Sequence, residues 1–157
     1  MNLKSVIVKL VWITAFLVIS YLIGEVTRQN MDWYADLNKS PFNPPRLAFP
    51  IVWSILYTML AIVGAQLWMN RAQVNGKKHM IVYAAYMLVN WAWSFIFFGA
   101  HMVGIGFAWI ILADIILAAL IFLLYKSEQK LQLMMLLPTL LWGLFAAYLN
   151  GYIYLAG

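Results

Sequence analysis

Charged residues are scarce in this 157-residue sequence, and cysteine is absent. Charged side chains make up 10% of the residues, against roughly 25% in soluble domains. The absence of cysteine excludes disulfides, thiol chemistry and cysteine-ligated metals. Hydrophobic residues make up 66% of the chain, and the net charge is +5. The cationic residues sit at the ends of apolar runs, where lipid headgroups rather than nucleic acid are the expected partner. The composition therefore predicts an integral membrane protein that does not bind nucleic acid.

Five apolar runs are long enough, or nearly so, to cross about 30 Å of hydrocarbon as helices of about 20 residues. They cover residues 5–24, 48–70, 80–100, 104–125 and 131–155. We predict an all-α membrane protein with a single domain over residues 1–157. Its five transmembrane helices would form a bundle, with a long, partly structured loop between the first two. The first run resembles a signal peptide, but no small-x-small cleavage site follows it, which favours an uncleaved span.

The distribution of lysine and arginine predicts the orientation. Seven lie on the side of the N-terminus and three on the other side, Arg28, Lys39 and Arg46. The positive-inside bias places the N-terminus in the cytoplasm and the 25–47 loop outside. The expected location is a bacterial cell membrane.

Aromatic residues and prolines cluster in three blocks along the chain. The first runs from 33 to 57 as WYADLNKSPFNPPRLAFPIVWSILY, and the second from 90 to 100 as NWAWSFIFFGA. The third comprises Pro138, Trp142, Phe145, Ala146 and Asn150. In content and order these blocks resemble the tryptophan-rich sensory protein family, which includes the translocator protein, or peripheral benzodiazepine receptor. The family's five-helix architecture agrees with the number of apolar runs.

The resemblance implies a homodimeric protein that binds porphyrins such as protoporphyrin IX in a pocket capped by the first long loop. Sterols and benzodiazepine-type drugs are further ligands in the family. The implied roles are tetrapyrrole sensing, regulation or transport. The alternative is light-dependent porphyrin degradation, in which Trp53 and Trp142 would be the catalytic residues. No conventional catalytic motif or metal-spaced cluster is present, and no tightly bound cofactor is expected, so enzymatic activity stays open.

Residue depth along the helices indicates a site under the loop. Pro44 and Pro45 mark the start of the second helix, since proline is favoured in a first turn. Trp53 and Tyr57 then share one face at i and i+4. Residues of the third and fifth helices reach the same half of the bundle, which gives an apolar pocket with a few polar anchors. The predicted ligand-binding residues are Trp33, Tyr34, Pro44, Trp53, Tyr57, Asn90, Trp93, Phe97, Asp114, Trp142, Ala146 and Asn150.

Several of these residues also have a structural interpretation. Trp53 fits an interfacial aromatic belt as well as a pocket wall. The loop is either a lid whose cations meet a ligand carboxylate or an amphipathic segment on headgroups. Asn150 fits an interhelical hydrogen bond. Asp114, the only carboxylate deep in a span, either lines the pocket or is structural.

Two features outside the pocket complete the predictions. His79 and His101 are too far apart to share a metal, and both are interpreted as interfacial. Gly143, Ala147 and Gly151 form a small-xxx-small ladder that allows close helix packing, either within one protomer or between two.

Overall fold

The computed structural model describes residues 2–157, and over this range the regular structure is entirely helical. Five helices are long and apolar enough to cross a membrane, which confirms the predicted all-α, five-span fold. The helices are α1 (Leu3–Gln29), a short α2 (Met31–Ala35), α3 (Ala48–Met69), α4 (Gly76–Ser94) with a π-helical turn at Phe95–Gly99, α5 (Val103–Lys126) and α6 (Lys130–Ala156).

The helix boundaries differ from the hydropathy prediction mainly at the end of α1. This helix continues five residues past Gly24, where the predicted span ended, to Gln29. Glu25 stabilises the extension, because it pairs with Arg28 and accepts a hydrogen bond from the side chain of Gln29 at 3.1 Å. A hydropathy window finds the apolar part of a helix, whereas the helix itself extends into the polar region.

The second spanning helix begins at Ala48, as predicted. The Pro44–Pro45 pair lies just before the helix rather than inside its first turn, and the carbonyl of Pro45 accepts a hydrogen bond from the Ala48 amide at 2.9 Å. Pro50 occupies the first turn instead, where the lack of an amide donor costs little.

The spanning helices form a ring in the order α1, α3, α6, α5 and α4, with the widest contact between α5 and α6. In the half of the bundle remote from the 30–47 loop, leucines and Tyr83 fill the interior. Leu60, Leu117, Leu120, Leu124 and Leu136 are fully buried there. The loop-side half is less tightly filled and contains the cavity described below.

The small-residue ladder of α6 packs against α5 within the protomer. A Cβ atom added to Gly143 would overlap the carboxylate of Asp114, and one added to Gly151 would lie 2.8 Å from the ring of Phe107. Glycine at both positions allows the two helices to approach closely. The ladder therefore has a partner inside one protomer.

The sequence predicts that His79 faces the headgroups, but the structure shows that it does not. It is 1% exposed. Its ring nitrogens lie 3.2 Å from the Ser127 hydroxyl and 3.3 Å from the side-chain nitrogen of Gln129. These partners come from the turn between α5 and α6, which folds over the end of α4. His101, in the turn before α5, is exposed.

Candidate ligand-binding site

A cavity of about 620 Å³ lies in the loop-side half of the bundle. Its walls come from α1, α3, α4 with its π-helical turn, and α6. Tyr34 of α2 closes it on the side of the 30–47 loop. Among residues 2–157, α5 contributes nothing to the wall. The volume falls within the roughly 300–1,000 Å³ of typical small-molecule sites.

Aromatic side chains form most of the cavity's flat surfaces. The ring centroids of Trp53 and Tyr57 are 5.3 Å apart on α3. Those of Trp93 and Phe97 are 5.1 Å apart, with planes inclined by only 12°. Both pairs are spaced at i and i+4, which puts their side chains on one helix face. The Trp142 ring of α6 and the Phe49 ring meet in a T-shaped contact, with centroids 6.0 Å apart. The cavity thus offers several aromatic faces to a planar ligand.

Two asparagines fix these aromatic walls in place. The Asn90 amide donates to the Tyr57 hydroxyl at 3.1 Å. Asn150 accepts from the Trp93 indole at 3.3 Å and donates to the carbonyl of Val103 at 3.1 Å. Both amides line the cavity, but they have partners in the protein, as buried polar groups in a bundle require. Asn150 thus makes the interhelical hydrogen bonds of the structural interpretation while also facing the cavity.

The loop side of the cavity is covered by residues 31–47, which we call the loop lid. Its central side chain, Tyr34, is buried and donates a hydrogen bond to Asn43 at 2.8 Å. Burial raises the pKa of the Tyr34 phenol, and the hydrogen bond to Asn43 opposes this in part. The phenol is therefore neutral at physiological pH, and its ring is an uncharged cover for the cavity.

The three cations of the loop region have different roles. Lys39 donates to the carbonyls of Tyr34, Ala35 and Leu37 at 3.0, 2.6 and 2.9 Å, so it caps α2 and does not line the cavity. Arg28 and Arg46 do line the cavity, at its rim. Arg28 also pairs with Glu25, and Arg46 donates to the carbonyl of Met31 at 3.3 Å. The rim is therefore cationic.

Nine of the twelve predicted ligand-binding residues lie in the cavity wall. These are Tyr34, Trp53, Tyr57, Asn90, Trp93, Phe97, Trp142, Ala146 and Asn150.

The structure places the other three, Trp33, Pro44 and Asp114, outside the wall. Trp33 stacks on the His101 ring, with centroids 4.0 Å apart and planes inclined by 7°. Pro44 lies in the irregular segment before α3. Asp114 is buried on α5 and faces Gly143 of α6 rather than the cavity, and its Oδ2 atom has no hydrogen-bond partner among the described residues.

Sequence reasoning missed the wall that α1 provides. Ser20, Gly24 and Thr27 line the cavity from this helix. The signal was present in their spacing, since small and polar residues at i, i+4 and i+7 share one helix face. A stripe of this kind in an otherwise apolar span marks a side that does not face lipid.

Comparison with known proteins identifies the family of this chain. The model of the TspO/MBR family matches residues 7–155. The chain belongs to the TspO/MBR family. It is similar to the tryptophan-rich protein TspO of Archaeoglobus fulgidus, with 34% identity over 145 residues that cover 91% of this chain and 92% of that protein.

Relatives from other groups of organisms show the same similarity. The translocator protein of Ovis aries is 32% identical over 139 residues, covering 86% of this chain and 78% of that protein. The tryptophan-rich sensory protein of Cereibacter sphaeroides is 29% identical over 120 residues, covering 76% and 73%. Membership in the TspO/MBR family and the five apolar helices together make this chain an integral membrane protein.

Proposed function

We propose that this TspO/MBR protein binds porphyrins and similar flat hydrophobic ligands, and that it acts in tetrapyrrole sensing, regulation or transport. The observation that carries the proposal is the cavity of about 620 Å³ with Trp53 and Trp142 in its walls and Arg28 and Arg46 at its rim. A porphyrin has a planar apolar ring that stacks on indoles. Its carboxylates suit arginine, whose guanidinium matches carboxylate geometry. Sterols or benzodiazepine-type compounds would use the apolar walls alone.

The contribution of the two indoles sets the size of the expected effect. Aromatic pairs add about 0.5–1.5 kcal/mol each beyond area burial. Removing both indoles should therefore weaken porphyrin binding by roughly one to two orders of magnitude, at about 1.4 kcal/mol per tenfold. The arginines at the rim are more exposed, so their contribution is smaller and depends on salt.

The proposal is tested by titrating the purified protein with protoporphyrin IX in detergent, followed by absorbance and fluorescence. A Trp53→Leu, Trp142→Leu double variant should bind one to two orders of magnitude more weakly. Trp68→Leu is the matched control, because Trp68 lies at the remote end of α3 outside the cavity and is 45% exposed. Equal affinity in the folded double variant and the wild type would refute the site. Ala146→Leu tests the same wall by filling the cavity.

Light-dependent porphyrin degradation is a second candidate, favoured by the presence of two indoles in one cavity. An indole would lend one electron to the photoexcited ring and recover it once O2 has added to the ring. One ring C=C bond would break and the two oxygen atoms would end as two C=O groups, so O2 from solution is the oxidant and the indole is unchanged. Phenylalanine keeps an aromatic face but is a much poorer electron donor. Illuminated complexes of Trp53→Phe and Trp142→Phe should therefore retain bound porphyrin while degrading it more slowly. Equal loss in these variants, or in detergent alone, would exclude this activity.

A further inference from the structure

The loop lid is fastened to the rest of the bundle at several points. Just before the lid, where α1 meets α2, the Asn30 side chain lies 2.8 Å from the Nε2 atom of His101, in the turn before α5. Farther along, the Ser40 hydroxyl lies 2.8 Å from the Tyr148 hydroxyl on α6. Passage of a ligand beneath the lid would require these contacts to break and the buried Tyr34 to leave its place.

The exposure of the wall residues shows where the cavity is open. The sides formed by the π-helical turn and α6 are closed, since Phe97 is 2% exposed and Ile153 is 4% exposed. In contrast, Tyr21 of α1 is 65% exposed and Leu47, just before α3, is 73% exposed, although both line the cavity. Every described wall residue that is exposed belongs to α1 or to residues 46–54. We call this opening between α1 and the start of α3 the lateral gap.

The lateral gap faces the hydrocarbon of the loop-side leaflet. Leu17, the deepest exposed wall residue on α1, lies twelve residues before Gln29, or about 18 Å at 1.5 Å per residue. On α3, exposed Ser54 lies six residues after Ala48, or about 9 Å. The hydrocarbon is about 30 Å thick, so the lateral gap extends from the headgroups to near the middle of the bilayer.

The residues of α1, the helix on one side of the lateral gap, are nearly all exposed or only partly buried. Phe16 is the one residue of Leu3–Gln29 that is buried. Beside the cavity, a Cβ atom added to Gly24 would meet nothing within 4 Å. Gly24 also lines the cavity, so this open space is the cavity itself, and a flat molecule has room beside the upper part of α1.

We infer that the flat hydrophobic ligand of the proposed function, with its anionic end, reaches the cavity from the loop-side leaflet through the lateral gap. Arg28 and Arg46 lie at the headgroup end of the gap, so the ligand's carboxylate stays at headgroup level while its apolar body moves sideways from lipid into the cavity. On this route the ligand exposes little of its apolar surface to water. Each Å² of apolar surface that stays out of water avoids a free-energy cost of about 25 cal/mol. The inference rests on the proposed function, because it assumes a hydrophobic ligand in this cavity.

The chain has no cysteine, so single cysteines can carry a label that blocks the gap. Ser54 and Ile55 are adjacent and both exposed, but only Ser54 lines the cavity. Ser54→Cys and Ile55→Cys would be placed in lipid nanodiscs and labelled with a bulky maleimide. Association and dissociation of protoporphyrin IX would be followed by stopped-flow tryptophan fluorescence. We expect the label at Ser54→Cys to slow both rates about tenfold, a barrier increase of about 1.4 kcal/mol, and the label at Ile55→Cys to change neither.

A second measurement tests the alternative route under the loop lid. Ser40→Cys in the lid and Tyr148→Cys on α6, joined by a short bifunctional thiosulfonate, hold the lid closed, and neither residue lines the cavity. Association should proceed at the unlinked rate. The inference is overturned if this crosslink stops association, or if the labelled Ser54→Cys and Ile55→Cys proteins associate equally fast. Failure of the proposed function is distinguishable, since the unlabelled proteins would then show no porphyrin binding at equilibrium.

Discussion

Gly143 is the position where the contact between α5 and α6 is most sensitive to one methyl group. A Cβ atom there would overlap the Asp114 carboxylate, so α6 must move away from α5 or Asp114 must change rotamer. Overpacking of this kind costs about 1–3 kcal/mol. Replacing glycine by alanine inside a helix also stabilises the helix by about 0.5–1 kcal/mol. We therefore expect Gly143→Ala to lower the free energy of unfolding by about 0–2.5 kcal/mol.

Asp114→Ala separates these two contributions. It removes the group that the added methyl would strike, and the Oδ2 atom has no hydrogen-bond partner to lose among the described residues. In this background Gly143→Ala keeps only the helix-forming gain. The double variant should therefore be more stable than Gly143→Ala alone, with a coupling energy of about 1–3 kcal/mol between the two sites.

The assay is thermal and denaturant unfolding in detergent of the wild type, both single variants and the double variant. Leu144→Ala is the control on α6, because Leu144 follows Gly143 in the chain but points away from α5 and is 52% exposed to the surroundings of the bundle. Coupling below about 0.5 kcal/mol would show that the sites are independent and refute the packing of Gly143 on Asp114. Size-exclusion chromatography of the same samples shows whether Gly143→Ala acts on an assembly of two chains instead.

Three further experiments test the lid, the core and the orientation. Lys39→Met removes three hydrogen bonds to carbonyls, so the amides of α2 should exchange hydrogen at least about tenfold faster, and unchanged exchange would exclude the capping role. Tyr83→Phe removes a 2.6 Å hydrogen bond to the carbonyl of Leu60 and should cost about 1 kcal/mol in unfolding, whereas a neutral effect would contradict that bond. Phe42 and Val74 are 72% and 88% exposed. In intact cells an impermeant thiol reagent should label Phe42→Cys and spare Val74→Cys, and the reverse pattern would overturn the positive-inside prediction.

The five spans could be predicted from hydropathy because the bilayer permits few alternatives. In hydrocarbon each backbone amide must find its partner within the segment, so an apolar run of about 20 residues is a helix whatever its neighbours are. The predicted start of the second span at residue 48 coincides with Ala48. Errors appeared where the chain meets water, as at the end of α1.

The depth of a residue was also predictable, whereas the direction of its side chain was not. A helix end fixes depth to within a turn, but each residue step rotates the side chain by about 100°. Asp114 lies at a depth that fits the site and faces α6 instead. Helices that are apolar on all sides carry little signal for this rotation. The same ambiguity hid the α1 wall.

The position of Trp33 depended on a contact that no local pattern indicates. Its ring stacks on His101, about 70 residues later in the chain. The stack requires the turn before α5 to present the imidazole toward α2, and His101 has a φ of 56° there. Non-glycine residues rarely adopt positive φ. Trp33, which was predicted to face the ligand, therefore attaches the loop lid to the turn before α5 instead.

The restraints on the cavity's tryptophans differ, and this difference separates a rigid part of the wall from a less restrained one. Trp93 donates its indole N–H to the carbonyl of Gly106 at 3.1 Å and also approaches Asn150. Its ring is thus tied to α5 and α6 before any ligand arrives, which is the preorganisation that lowers the cost of binding. The indole nitrogen of Trp142 is buried without a hydrogen-bond partner among the described residues. Only packing against neighbours such as Phe49 holds this ring. Since an unpaired buried donor favours any arrangement that gives it an acceptor, the α6 wall is where the cavity would adapt to the proposed ligand.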